Sequence, residues 1–224
     1  MNFNDTINQL LERWQHLLAS FEVTPDIAQV TFTQIVTAYS SPKRYYHTLE
    51  HIEYILNIIE SLQDKTQNLE VVQLAAWFHD LVYDTQAHDN EERSAKYASH
   101  LLASLRLSSR IIATVSRLIL STKFHQAAPN DIDCQVLLDA DLAILGSPPV
   151  EYGNYAVAIR QEYAWVPQAE YLAGRKQVLQ QFLQRDRIYY TPFMFQAFEL
   201  SARSNILQEI QQINNTVLEK SYDK

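Results

Sequence analysis

Leu69-Glu70-Val71-Val72-Gln73-Leu74-Ala75-Ala76-Trp77-Phe78-His79-Asp80 decides how this chain is read. Leu69, Val72, Ala76 and Phe78 form an apolar stripe, so the segment reads as a core helix. It ends in an imidazole beside a carboxylate. Buried histidine and aspartate are costly unless they are paired or bound to a metal. The same kind of insertion recurs twice. Tyr46-His47-Thr48-Leu49-Glu50-His51 sets two imidazoles one helical turn apart, and Asp139-Ala140-Asp141 lies inside a later apolar segment. Three such insertions into core-like helices point to one shared metal site.

Outward from these stretches the pattern is helical nearly throughout. Ile7, Leu10, Leu11, Trp14, Leu17 and Leu18 recur at helical spacing. Ile27, Val30, Ile35 and Val36 mark a second helix, opened by Thr24-Pro25 as N-cap and first position. Ile52, Ile55, Ile59 and Leu62 mark a third. Residues 83–90 and 126–131 read as loops, and residues 91–105 and 108–120 as helices between them. Residues 135–145 form a short apolar helix ending at Gly146, a C′ glycine. Three more helices cover 152–163, 171–185 and 193–218. With no repeat, low-complexity tract or linker, the expectation is a single all-α domain over 1–224. Its metal-site core spans about 40–146, and the C-terminal helices of 150–218 pack on it.

Composition narrows the function. The chain has 224 residues with only 3 glycines, which argues against phosphate loops and dinucleotide-binding fingerprints. One cysteine, Cys134, excludes an internal disulfide or a cysteine zinc cluster and reads as a small core residue. The formal charge of -8 is the wrong sign for a nucleic-acid polymer. No apolar run approaches a membrane span, and no signal peptide is legible at residues 1–18. A soluble cytoplasmic protein is expected. Its expected partner is a small phosphorylated substrate, and exposed aromatics make a homodimer the expected assembly if there is one.

The candidate site follows from helix geometry. His51 shares the face of Ile55 and Leu62, into the bundle, while His47 lies one turn earlier and closer to solvent. A deep imidazole suits a metal ligand and a shallower one suits proton transfer. His79 and Asp80 are about 100° apart around a helix and can reach one ion. Mixed nitrogen and oxygen ligands suit Mn, Fe, Co, Ni, Zn or Mg without choosing among them. Asp139 and Asp141, two residues apart, cannot share one helical face.

The ordered set Tyr46-His47…His51, His79-Asp80 and Asp141 resembles the H…HD…D signature of the HD superfamily of metal-dependent phosphohydrolases. The fuller pattern is similar to a small subfamily of predicted HD phosphohydrolases. It includes Arg44-Tyr45-Tyr46-His47, Ala76-Trp77-Phe78-His79-Asp80, Asp89-Asn90-Glu91-Glu92-Arg93-Ser94-Ala95, Leu138-Asp139-Ala140-Asp141-Leu142, Gly174-Arg175 and Ile188-Tyr189. The likeness runs over most of the chain. It implies an HD-type, phosphodiesterase-like helical bundle with a divalent metal on His51, His79, Asp80 and Asp141. The last of these is preferred over Asp139 because the HD pattern sets its final aspartate after a small residue.

The start of the pattern also resembles cyclic-nucleotide phosphodiesterases, in which the first histidine is the general acid. That implies His47 as the acid. Thr48 stands where those enzymes have Asn, so the reading of His47 as a ligand stays open. The resemblance supports Glu91 or Glu92 as a water-orienting group, beside the plainer reading of first-turn carboxylates on a helix dipole. A phosphate also needs cations, for which Arg44, Arg93, Lys123, Arg160, Arg175 and Arg185 are candidates, Arg175 foremost because it falls in the family's Gly-Arg motif. His125, after Lys123 at a helix end, reads as a phosphate contact, a second-metal ligand or a solvated histidine. Two alternatives stand beside the hydrolase. One is a di-iron oxygenase drawing extra ligands from His88, His100 and His125. The other is a non-catalytic sensor that holds metal and nucleotide.

Overall fold

A computed structural model describes residues 3–222, with side chains over 5–216. Ten α-helices follow in order: α1 (Phe3–Ala19), α2 (Pro25–Tyr39), α3 (Leu49–Ser61), α4 (Leu69–Phe78), α5 (Asn90–Ser104), α6 (Ser109–Thr122), α7 (Ile132–Asp141), α8 (Pro149–Glu162), α9 (Gln168–Leu183) and α10 (Pro192–Tyr222). Short 3-10 segments occupy Gln63–Lys65 and Leu142–Gly146. No strand occurs among the described residues, so the fold is all-α as expected. No helix among them is long and apolar enough to cross a membrane. The chain divides into two compact units, Met1–Asp141 and Leu142–Lys224.

In the first unit α4 is the central helix, flanked by α3, α5, α6 and α7. Its sequence explains that position. Val71, Val72, Leu74, Ala75, Ala76, Trp77 and Phe78 are all buried, and a helix apolar on every side must be surrounded. Asn68 starts it, its side chain accepting from the Val71 amide at 3.2 Å. Asp133, near the start of α7, accepts from the Gln67 amide at 2.7 Å and so ties α7 to the entry of α4.

An aromatic cluster closes the end of α4. Trp14 meets Trp77 edge-on at 5.3 Å and Phe78 at 5.8 Å, and Phe32 meets Trp77 at 6.1 Å. Such pairs add about 0.5–1.5 kcal/mol each beyond their buried area. The indole N–H of Trp14 donates to the Ala28 carbonyl and to Thr31 Oγ1, so this buried donor is satisfied. That accounts for one departure from the expected face of α2. Ala28, Thr31, Phe32, Ile35 and Tyr39 are buried, while Ile27 and Val30 are exposed. The indole needs an acceptor at 31, and the aromatic cluster takes the space two β-branched residues would have filled.

Two helix ends also differ from expectation. His47 lies ahead of α3, whose N-cap is Thr48 in extended conformation, so His47 and His51 are not on successive turns of one helix. Helix α7 stops at Asp141, and the chain tightens into 3-10 geometry instead of continuing to Leu145. Gly146 is not a left-handed C′ residue, since no glycine has positive φ. Its role is steric. A Cβ there would stand 2.7 Å from Phe198 Cβ and 2.8 Å from the Phe198 carbonyl oxygen.

The second unit packs α10 against α9 and against the Leu142–Gly146 segment. Buried polar ties hold it. The Tyr189 hydroxyl donates to the Leu142 carbonyl at 3.0 Å, and Glu199 accepts from the amides of Ile188 and Tyr189. Asn205 donates to the carbonyls of Leu145 and Ser147 at 2.9 Å. Arg175 grips Glu209 with two parallel bonds of 2.8 and 3.0 Å and donates to the Tyr155 hydroxyl at 3.1 Å. The Tyr152 hydroxyl completes the group by donating to Glu209 at 2.5 Å.

Candidate metal centre

Four segments of the first unit bring the site together. His51 projects from the first turn of α3, and His47 from the bend just before it. His79 is the C-cap of α4, still in helical conformation, and Asp80 follows in the turn. Asp141 is the last residue of α7. His125 comes from the loop after α6 and holds φ at 49°, a left-handed conformation uncommon for a residue with a Cβ.

The side chains converge. His51 Nε2 lies 3.7 Å from Asp80 Oδ2 and 3.5 Å from Asp141 Oδ1. His79 Nε2 lies 3.0 Å from Asp80 Oδ2 and 3.5 Å from the same Asp141 Oδ1. Ligand atoms of His51, His79 and Asp141 all fall within 4.8 Å of one another. The other oxygen of Asp141 meets His125 Nε2 at 2.9 Å. His47 Nε2 stands 3.8 Å from Asp80 Oδ2, and its ring stacks on Tyr83 with centroids 4.2 Å apart.

Burial makes this arrangement informative. The His51 and His79 side chains are only 1% exposed, against 17% for His47 and Asp80. Yet Nε2 of both buried rings, and Nδ1 of His51, lack any partner in hydrogen-bonding geometry. His79 Nε2 is close to Asp80 but does not aim an N–H at it. Nδ1 of His79 lies 2.8 Å from the Ala76 carbonyl, which can only accept, so that nitrogen carries the proton. Nε2 is then the nitrogen that faces the two carboxylates and would give its lone pair to an ion bound there. Buried imidazole nitrogens without partners cost free energy, and a cation between them and the carboxylates removes that cost. The donor set fits a divalent metal, with the Ala76 carbonyl in the orienting role that ligating histidines need.

The charges are consistent with this. Burial raises the pKa of Asp80 and Asp141, but the facing imidazoles outweigh it and hold both below the usual carboxylate range. Burial lowers His79, but the carboxylates of Asp80 and Asp141 outweigh it and hold the ring well above its ordinary value. Burial lowers His51 as well, and with its carboxylate oxygens no nearer than 3.5 Å and the imidazoles of His79 and His47 beside it, burial prevails and its pKa falls.

The other expected residues take these places. Asp139 is fully buried on α7, two residues before Asp141 and so turned elsewhere. Glu91 and Glu92 open α5, and Glu92 is bound by Lys123 at 2.5 Å. Lys123 also donates to the His88 carbonyl at 2.9 Å. The donors of Arg175 are engaged by Glu209 and Tyr155 within the second unit. His88 and His100 are exposed. Cys134 is buried, and that burial pushes its thiol pKa up, as in an inert core residue.

Sequence reasoning missed the residues that hold the loops. Ser94, fully buried on α5, bonds both the amide and the carbonyl of Val82. Asn90 bonds the amide and carbonyl of Asp84. Both fall in the Asp89–Ala95 motif, which was the available signal. Arg44 donates to three backbone carbonyls.

Residues 44–143 match the family model described as the HD domain. No curated protein and no solved structure gave a significant match. The matched segment contains His47, His51, His79, Asp80, His125 and Asp141, and an HD domain implies metal-dependent hydrolase-type activity. Residues 44–143, a little under half of the chain, are thus similar to the HD domain of metal-dependent phosphohydrolases.

Proposed function

We propose that this protein hydrolyses a phosphomonoester or phosphodiester of a small molecule, such as a nucleotide, at a divalent metal held by His51, His79, Asp80 and Asp141. The observation that carries the reading is the pair of buried Nε2 atoms without hydrogen-bond partners, facing two ionised carboxylates. A divalent ion there would supply Lewis acidity, polarising a phosphoryl oxygen and acidifying water.

The chain's own groups supply the rest. His47 is more exposed than the ligand imidazoles and is held by its stack on Tyr83. It is the proposed general acid for the leaving oxygen. Lys123 uses two partners on its ammonium and keeps a third N–H for a phosphate oxygen. Glu91 and Glu92, at the start of α5, are the proposed water-orienting carboxylates, with Glu92 exchanging between Lys123 and that role.

The test is phosphate release from a panel of nucleotides and other phosphoesters. Protein is stripped of metal and reloaded with Mn, Fe, Co, Ni, Zn or Mg, with Asp80→Ala as control. Release that depends on metal and is lost in the variant supports the proposal. Silence across the panel with metal demonstrably bound overturns it, in favour of a binding role.

A further inference from the structure

The site depends on two segments that share no secondary structure. One is the bend 44–48 ahead of α3, which carries His47. The other is the turn 79–83 after α4, which carries Asp80 and Tyr83. Nothing in helix geometry fixes their separation. Arg44, the first residue of the bend, is buried and sends its side chain across to the turn. Its Nη1 donates to the His47 carbonyl at 3.0 Å and to the Asp80 carbonyl at 2.7 Å. Its Nη2 donates to the Leu81 carbonyl at 2.8 Å. One nitrogen thus bonds a residue from each segment. The guanidinium also lies over the Tyr39 ring at 4.8 Å and the Tyr83 ring at 5.4 Å, and the Tyr39 hydroxyl is anchored on the Trp77 carbonyl of α4.

We infer that Arg44 is a positioning residue, a planar clasp that fixes the distance between the His47 and Asp80 segments and so sets the shape of the metal site. The inference rests on the metal reading above and extends it to a residue that touches neither metal nor substrate. Its chemistry suits the task. A guanidinium presents rigid, forked donors and stays charged, whereas an ammonium is a point charge on a flexible stem. Buried carbonyls turned inward at chain bends need such a donor, because leaving them unpaired costs more than the bonds return. The aromatic faces of Tyr39 and Tyr83 hold the fork in plane. Tyr83 also stacks on His47, so the clasp reaches the proposed acid through one ring.

The experiment measures Mn(II) and Co(II) affinity, and the visible spectrum of the Co(II) form, for the full chain and for Arg44→Gln and Arg44→Lys. Melting curves of the metal-stripped proteins select variants that fold. Loss of a group that orients metal ligands typically weakens metal affinity by about 10–100-fold. That loss is expected for Arg44→Gln, with an altered Co(II) spectrum at intact stoichiometry. Arg44→Lys keeps the charge and loses the fork, and is expected to lose affinity several-fold with the same spectral change. Either folded variant with wild-type affinity and spectrum overturns the clasp. If Arg44→Gln does not melt cooperatively, Arg44→Lys decides alone. Wild-type protein that binds no metal would instead remove the metal reading itself.

Discussion

His79 gives its Nδ1 proton to the carbonyl of Ala76, one helical turn back in α4, across 2.8 Å. The apolar helix therefore fixes the tautomer of the ring that follows it. Because Asp80 and Asp141 raise the His79 pKa, the ring also holds a proton on Nε2 near neutrality in metal-stripped protein. A metal must displace that proton. Apparent metal affinity is expected to climb with pH by up to about tenfold per unit, flattening above the His79 pKa. Calorimetric titrations in buffers of different ionisation enthalpy should report about one proton released per ion. His51, with its lowered pKa, adds nothing to that slope at neutral pH. Affinity independent of pH would show that His79 is not a ligand.

The same groups set how stability varies with pH once metal is stripped. Asp80 and Asp141 have depressed pKa values. Their contribution is present above the unfolded carboxylate value of about 3.9 and is lost as pH falls through their folded values. His79 is raised, so its contribution is full below about 6.5 and is lost as pH rises through its folded value. His51 is depressed and acts oppositely, removing stability as pH falls below about 6.5. Metal-stripped protein should thus melt lower as pH rises from neutral, while metal raises the midpoint most on the alkaline side. Melting curves from about pH 6 to 9, with chelator and with added ion, check both trends.

Asp139 and Asp141 separate by role. Asp141→Asn should abolish stoichiometric metal binding and metal-dependent turnover. Asp139→Asn should keep metal content and lose about 1–3 kcal/mol of stability, as expected when a buried carboxylate is altered. Metal analysis beside denaturant unfolding distinguishes them. Lost metal in the Asp139 variant would reverse the assignment.

Arg175 and Glu209 form a buried ion pair with side chains 8% and 12% exposed. Glu209→Ala leaves a guanidinium and the Tyr152 hydroxyl without their acceptor. It should cost about 3–5 kcal/mol, or roughly 10 °C in melting temperature for a chain of this size. Replacing both, as Arg175→Met with Glu209→Leu, should recover much of the loss, because no charge then stays buried alone. Thermal melts of the single and double variants test this.

Periodicity made the helices legible, since long apolar stripes specify both helix and inward face. The ligands were legible for the same reason: polar residues inside such stripes are conspicuous. What stayed hidden were choices made by tertiary partners. Ile27 and Val30 fit a helical stripe, yet Trp14 and Phe32 claim the core face of α2. Gly146 looked like a helix terminator, but its constraint is the approach of Phe198, fifty-two positions on. His47 looked helical because four-residue spacing cannot reveal that α3 begins at Leu49. The place of Arg44 stayed hidden because its three acceptors are backbone carbonyls, which carry no side-chain signature.

The left-handed backbone of His125 bears on protein engineering. Holding a non-glycine residue at φ 49° costs on the order of 1 kcal/mol, and its imidazole is the group that meets the outer oxygen of Asp141. Glycine at 125 would relax the backbone and remove that contact in one step. Asparagine would tolerate the conformation and offer a shorter reach. Directed evolution scored on heat resistance alone would therefore be drawn toward such replacements and would weaken the tie to Asp141. A campaign scored on metal retention as well should keep histidine there and find its thermal gains elsewhere in the chain.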